Sequence, residues 1–271
     1  MKIQSNNFQN TNFKSGLTLK LIRDIRNINV AEAELDFTKL GVDADFKNSK
    51  TICANFVMAS NILKEISEKY KLPFDFNPPA IRVYTNKELI DEDDKKSIGF
   101  CSIDTKRILK DEPPFIGGSI FMNRRMNGLL TNDLINADFG FLTNWRSSSH
   151  FLATTLHEWF HCIHQNLIFK QKGYEGDCPV LKEMYHKEGA NGLDSLDLQS
   201  NLPGISTKVA ESIGKYAVFS RSMLEVFAEL MAKITAEALD KNLNVVKNPM
   251  DNIPKNFPES YKKQIEEVLN I

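Results

Sequence analysis

Cysteine is scarce in this sequence. The four residues Cys53, Cys101, Cys162 and Cys178 are far apart and form no C-x-x-C pair, which excludes a thiolate zinc knuckle and a disulfide framework and leaves reduced thiols as the expectation. An excess of one charge is also lacking. Lys and Arg number 34 against 35 Asp and Glu, a net charge of −1, so no basic excess exists to neutralise a phosphate backbone or an anionic lipid surface. Nucleic acid is therefore not an expected partner. No segment approaches the roughly 18 uninterrupted apolar residues of a membrane span, so no membrane span is expected. The first ten residues, Met1 to Asn10, lack the apolar stretch of a secretory signal. The expectation is a cytoplasmic chain, or one exported without a cleavable signal peptide. Glycine and proline, 13 and 10 of 271 residues, are too few for a collagen-like or low-complexity chain.

What is present is enough apolar material for a large core, 42% of the residues, arranged in changing periods. Residues 1–15 are rich in Asn, Gln and Lys with isolated Phe and read as a flexible tail. Residues 16–75 read as a helical region packed on the rest. Leu17, Leu21 and Ile25, then Val30, Ala33, Phe37 and Leu40, suggest two short helices broken at 27–29, and residues 49–70 carry a wide apolar stripe ending before Pro73. After Pro78-Pro79 the period drops to two: residues 80–85, 97–104 and 118–124 are strand candidates. The run Asp91-Glu92-Asp93-Asp94 reads as a solvated turn, lacking the alternating ligands and glycine of a calcium loop. Ser147-Ser148-Ser149 offers N-caps for a helix to about Lys170; residues 173–207 are loop-rich, with a short helix possible over 180–186. Residues 209–239, interrupted near 219–221, and 258–269 return to helical spacing. The fold class expected is α+β, mostly helical, with a small mixed sheet, and residues 76–271 form the domain that carries the chemistry.

That chemistry centres on His157-Glu158-Trp159-Phe160-His161, an H-E-x-x-H pattern. Four-residue spacing puts both imidazoles on one helix face a turn apart, where two nitrogens can converge on one metal ion. Glu158, turned about 100° away on the helical wheel, sits beside such an ion rather than on it and can accept a proton from a metal-bound water. The five histidines of the chain are His150, His157, His161, His164 and His186, and this concentration favours a metal over histidines that merely pack. Catalytic zinc takes three protein ligands. A metzincin's third histidine would fall at position 167, which is Leu167, with His164 where its glycine belongs. His164 lies too far along the helix to share the ion and reads either as packing or as a support behind the ligands. Glu225 and Glu229, four residues apart on a later helix, offer one ligand and one acceptor for a ligand histidine's remaining N–H. Glu225 is assigned as ligand and Glu229 as its support; Glu211 is the rival ligand, and a surface position for both is the plainer alternative.

His157–His161 together with Tyr216-Ala217 and Glu225-Val226-Phe227-Ala228-Glu229 resembles the zincin metallopeptidases of the gluzincin type, particularly the lethal-factor-like and phage- or toxin-associated branches. The resemblance spans roughly residues 154–165 and 211–229. It implies a zincin-like catalytic domain and one Zn2+ per chain held by His157, His161 and Glu225. It further implies Glu158 as general base toward a protein or peptide substrate, and Tyr216 as donor to the oxyanion. Tyr216 precedes Glu225 by nine residues, two more than in the family pattern, so a core tyrosine competes with that role; Tyr185 is a poorer substitute. Zincins hold an extended peptide on a sheet edge, and residues 118–123, the last strand before the helix, are the expected edge. Cys178 reads as an incidental loop cysteine rather than an inhibitory thiolate. The competing functions are a catalytically inactive, zinc-stabilised binding or structural module, and a metal-free helical interaction protein.

Overall fold

In the computed structural model, the chain is described over residues 19–85, 87–88, 98–102, 118–125, 148, 150–171, 207–219, 223–240 and 243–270. The first two helices, α1 (Leu19–Asn27) and α2 (Val30–Lys39), are separated as the spacing predicts, and the break has a chemical cause: the Asn29 side chain accepts from the Glu32 N–H at 3.3 Å and caps α2. Gly41, at φ +79, turns the chain out of α2. Strand β1 (Asp43–Asp45) follows, then α3 (Lys50–Tyr70). Ser67 finishes α3: its hydroxyl donates to the Leu72 carbonyl at 2.7 Å and accepts from the Phe74 N–H at 2.9 Å, closing the turn around Pro73.

Strands β2 (Ala80–Tyr84), β3 (Gly99–Ser102) and β4 (Ser119–Asn123) complete a four-stranded mixed sheet in the order β1-β2-β4-β3. β1, β2 and β4 are parallel, and β3 runs antiparallel to β4. This corrects one expectation. Among the described residues, 118–123 lie in an interior strand, and β1 and β3 are the outer ones, because β4 pairs with β2 on one side and with β3 on the other. β1 was not foreseen; three residues reading Asp-Ala-Asp carry no apolar alternation, and pairing with Ala80–Arg82 is what makes them a strand. It also means that the N-terminal 16–75 region contributes to the sheet as well as helices.

Next come α4 (Ala153–Gln171), α5 (Thr207–Ile213) and α6 (Lys215–Phe219), the last two divided by Gly214 at φ +94. They are followed by α7 (Met223–Glu237), a 3-10 turn at Pro249–Asn252, and α8 (Glu259–Leu269). The fold is thus mixed α+β and mostly helical. The short helix at 180–186 and the acidic turn at 91–94 lie outside the described residues. No helix among the described residues is long and apolar enough to cross a membrane. Cys53, Cys101 and Cys162 are free thiols, and burial, with the Glu34 charge adding, pushes Cys53 up to about 12, which leaves it unreactive.

One hydrophobic cluster runs from Ile25 to Leu269, with α4 at its centre. Trp159 packs against Phe37 and Phe56, and its indole N–H donates to the Phe76 carbonyl at 2.9 Å. Phe160 points to the other side, edge-on to Phe74 and near Phe227. The two intervening residues of H-E-x-x-H therefore lock α4 to the N-terminal helices and to α7. Yet α4 also buries Thr155, His157, Glu158, His161, His164, Gln165 and Asn166, and buried polar groups must be bonded to be tolerated. Asn166 donates to the Cys162 carbonyl at 2.8 Å, and Gln165 Oε1 accepts the Gly118 N–H at 2.6 Å.

α4 begins later than the serine run suggests, at Ala153, and its first turn is closed by His150. The His150 carbonyl accepts from Ala153, and its Nδ1 accepts the Leu152 N–H at 3.2 Å. Ser148 Oγ supports His150 through its N–H at 3.1 Å. Burial pushes the His150 imidazole from 6.5 down to about 4. The unfolded chain therefore takes up this proton first as pH falls. The stability that neutral His150 contributes is complete above about pH 6.5 and is lost as pH drops toward 4, at up to about 1.4 kcal/mol per pH unit. The substitution His150→Asn keeps an acceptor that does not titrate. Its melting temperature should fall less steeply than wild type between pH 6.5 and 4; equal slopes would show that His150 contributes nothing there.

Candidate metal centre

The centre is built by packing α7 against α4. Phe227 is the contact residue: it lies stacked on His164 with ring centroids 4.2 Å apart at 17°, and near Phe160 at 6.3 Å. His164 is thus a packing residue, as its position on the helix predicts, and burial, with the charge of His161, pushes its imidazole down to about 3. Seating Phe227 in this way brings Glu225, two residues earlier and half-buried, over the first turns of α4.

Three ligand atoms meet there. His157 Nε2 and His161 Nε2 are 3.0 Å apart, and Glu225 Oε2 lies 3.1 Å from the first and 3.5 Å from the second. His157, His161 and Glu225 form the one three-residue group with metal-binding geometry among the described residues. A tetrahedral ion with bonds of about 2.0–2.2 Å requires ligand atoms roughly 3.3–3.6 Å apart, within a few tenths of an ångström of the edges of this triangle. The donor set, two imidazoles and a carboxylate, is one that zinc accepts. Glu225 Oε2 is itself buried, with the two imidazole nitrogens as its polar neighbours. An anionic oxygen in that position is costly without a cation.

The local field agrees. Burial pushes the Glu225 carboxyl up, but the charges and hydrogen bonds of His161 and His157 outweigh it and hold the group well below the usual carboxylate range. Burial pushes His157 down, but the Glu225 hydrogen bond and the charges of Glu225, Glu229 and Glu158 overcome it and raise the imidazole to about 9. Three carboxylates thus surround one histidine, a field that draws a proton in the metal-free chain and favours a dication equally.

Glu158 is buried, 6% exposed, and stands between α4 and the sheet. Its Cγ is 3.2 Å from the point a Cβ on Gly99 would occupy. Glu229 is on the expected side of His157, but its Oε1 is 3.9 Å from Nδ1, an ion-pair distance rather than a hydrogen bond. The direct N–H acceptance expected of Glu229 is therefore not formed, although its charge acts on the ring. The Tyr216 ring, on α6, stands edge-on to His157 with centroids 5.8 Å apart. Glu211, the rival ligand, is exposed on α5 and outside the triangle. Tyr185, His186 and Cys178 lie outside the described residues.

Two residues were not singled out from the sequence. Gly99 is the position where β3 comes closest to Glu158, and Gln165 ties the start of β4 to α4. A lone glycine in a strand pattern is a general sign of close backbone approach, but nothing in the sequence says what approaches. No protein-family model matches this chain, and neither a curated protein nor a solved structure matches it.

Elemental mass spectrometry of dialysed protein should find about one zinc per wild-type chain, and Glu225→Ala should lose it or hold it far more weakly. A folded wild-type chain that refuses added zinc would reduce His157 and His161 to packing residues.

Proposed function

We propose that this chain is a zinc-dependent endopeptidase with a zincin-like catalytic domain. The observation that carries the reading is the convergence of His157, His161 and Glu225 within 3.5 Å of one another, with Glu158 buried next to His157 on the same helix. Zinc held there supplies Lewis-acid polarisation of the scissile carbonyl and a water that is acidic near neutral pH.

The chain's own residues do the rest. Glu158 accepts the proton of the attacking water and returns it to the leaving amine. Its burial between helix and strand limits competing solvent. Glu229 adds negative charge behind His157 and strengthens it as a ligand. Tyr216, beside His157, donates to the oxygen on which charge develops.

The extended substrate has a docking edge in β3. The Asn123 N–H donates to the Ile98 carbonyl at 2.9 Å, and bonded pairs alternate along an antiparallel ladder. Phe100 therefore bonds with Phe121, while Gly99, opposite Met122, turns its N–H and C=O away from β4. A peptide paired with that edge by β-addition passes directly beside Glu158. The partner this implies is a protein or peptide substrate.

Glu158→Gln should retain zinc and lose turnover by about a hundredfold or more, measured against any peptide that wild type cleaves and a chelator protects. Full activity in that variant would eliminate the mechanism. Stoichiometric zinc with no turnover across a broad peptide library would identify the inactive, zinc-stabilised module instead. Tyr216→Phe should lower kcat by about a hundredfold with zinc retained; unchanged kcat with a lower melting temperature would make Tyr216 a core residue only.

A further inference from the structure

We propose that Gly99 is a positioning residue for Glu158: the side chain it lacks is what allows β3 to rest against Glu158 and sets where the carboxylate stands relative to the His157–His161–Glu225 triangle. This deepens the hydrolytic reading above and rests on it.

The geometry is specific. A Cβ placed on Gly99 would meet Met122 Sδ at 2.7 Å, Glu158 Cγ at 3.2 Å and the Phe121 carbonyl oxygen at 3.2 Å. These neighbours differ in what they can do. Met122 Sδ lies one atom from the end of a flexible side chain and can swing away. The Phe121 oxygen belongs to the β3–β4 ladder, where Phe100 and Phe121 pair, and the strand resists moving on that side. Glu158 Cγ carries the carboxylate, so any yielding there displaces the group directly. Gly99 has no need of a left-handed backbone, so its glycine is explained by proximity alone.

The strand is also held in place. Glu158 and Gln165 are seven residues apart and share a face of α4. Gln165 Oε1 accepts the Gly118 N–H at 2.6 Å just before β4, and lies 3.8 Å from Cys101 Sγ on β3. One end of the sheet is therefore bonded to the same helix face that Gly99 meets two turns earlier. β3 cannot retreat from an added methyl group at residue 99 without straining that tie, and the displacement falls on Glu158.

The test separates this contact from simple crowding. The substitution Gly99→Ala is made alone and with Met122→Val, which removes the Sδ atom while leaving a strand-compatible side chain; Met122→Val alone is the control. In Gly99→Ala/Met122→Val the melting temperature should recover toward that of Met122→Val. Zinc content should stay at about one per chain, KM should change less than about twofold, and kcat should stay roughly tenfold or more below the control, the signature of a misplaced group rather than lost binding. Return of kcat to the control value would overturn the proposal, because the effect would then belong to Met122. A second readout does not depend on turnover: the Glu158 side-chain carboxyl resonance in 13C-glutamate-labelled protein, assigned by its disappearance in Glu158→Gln and read at one fixed pH. It should move in the double variant relative to Met122→Val. An unmoved resonance in a folded protein overturns the proposal. If Glu158→Gln leaves cleavage intact, the hydrolytic reading fails, and a moved resonance still establishes that Gly99 places Glu158.

Discussion

The structure depends on burying a helix that is half polar. α4 passes through the centre of the core, and its cost is met by two aromatic anchors side by side in the sequence. Trp159 binds it to α2 and α3, and Phe160 binds it to α7 and the segment after α3. Fully burying side chains of this size contributes about 1.5–3 kcal/mol each, and Leu156, Ile163 and Leu167 of the same helix are buried beside them. Of its polar groups, Asn166 and Gln165 are hydrogen-bonded, His164 is stacked on Phe227, and His157 and His161 are gathered where a cation can serve them.

That gathering is an electrostatic arrangement as much as a geometric one. Glu225, Glu229 and Glu158 bring three carboxylates to the same buried histidine. The rise of His157 to about 9 is the proton's answer to this field, and a divalent cation satisfies the same field with stronger directional bonds. Phe227 connects the two aspects. By stacking on His164 it fixes the register of α7 on α4, and the register decides that Glu225 rather than Glu229 reaches the Nε2 atoms of both imidazoles.

Much of this was legible in the sequence because it is local. The break before α2 follows from Asn29, the end of α3 from Pro73, and the helical bearing of His157, His161 and Glu158 from spacing along one helix. Glu225 was legible at one remove, since two acids four apart on an amphipathic helix must share a face. What failed was sheet order. β1 has no apolar alternation to announce it, and the expectation that the last strand would be the edge took chain order for spatial order. The distance of Glu229 from His157 was equally hidden, because side-chain reach across two helices depends on how closely they pack.

The sequence by itself determined which groups lie on which face of each element, since the periods of helix and strand are properties of the backbone. It thereby determined the mostly helical α+β class and the pairing of two imidazoles with an adjacent carboxylate. Only the tertiary structure decided which carboxylate closes the triangle, that β4 lies between β2 and β3, and that Gly99 meets Glu158. Those contacts join residues 59 to 68 positions apart, and they arise from the packing of α4 against α7 and the sheet, which no local spacing encodes.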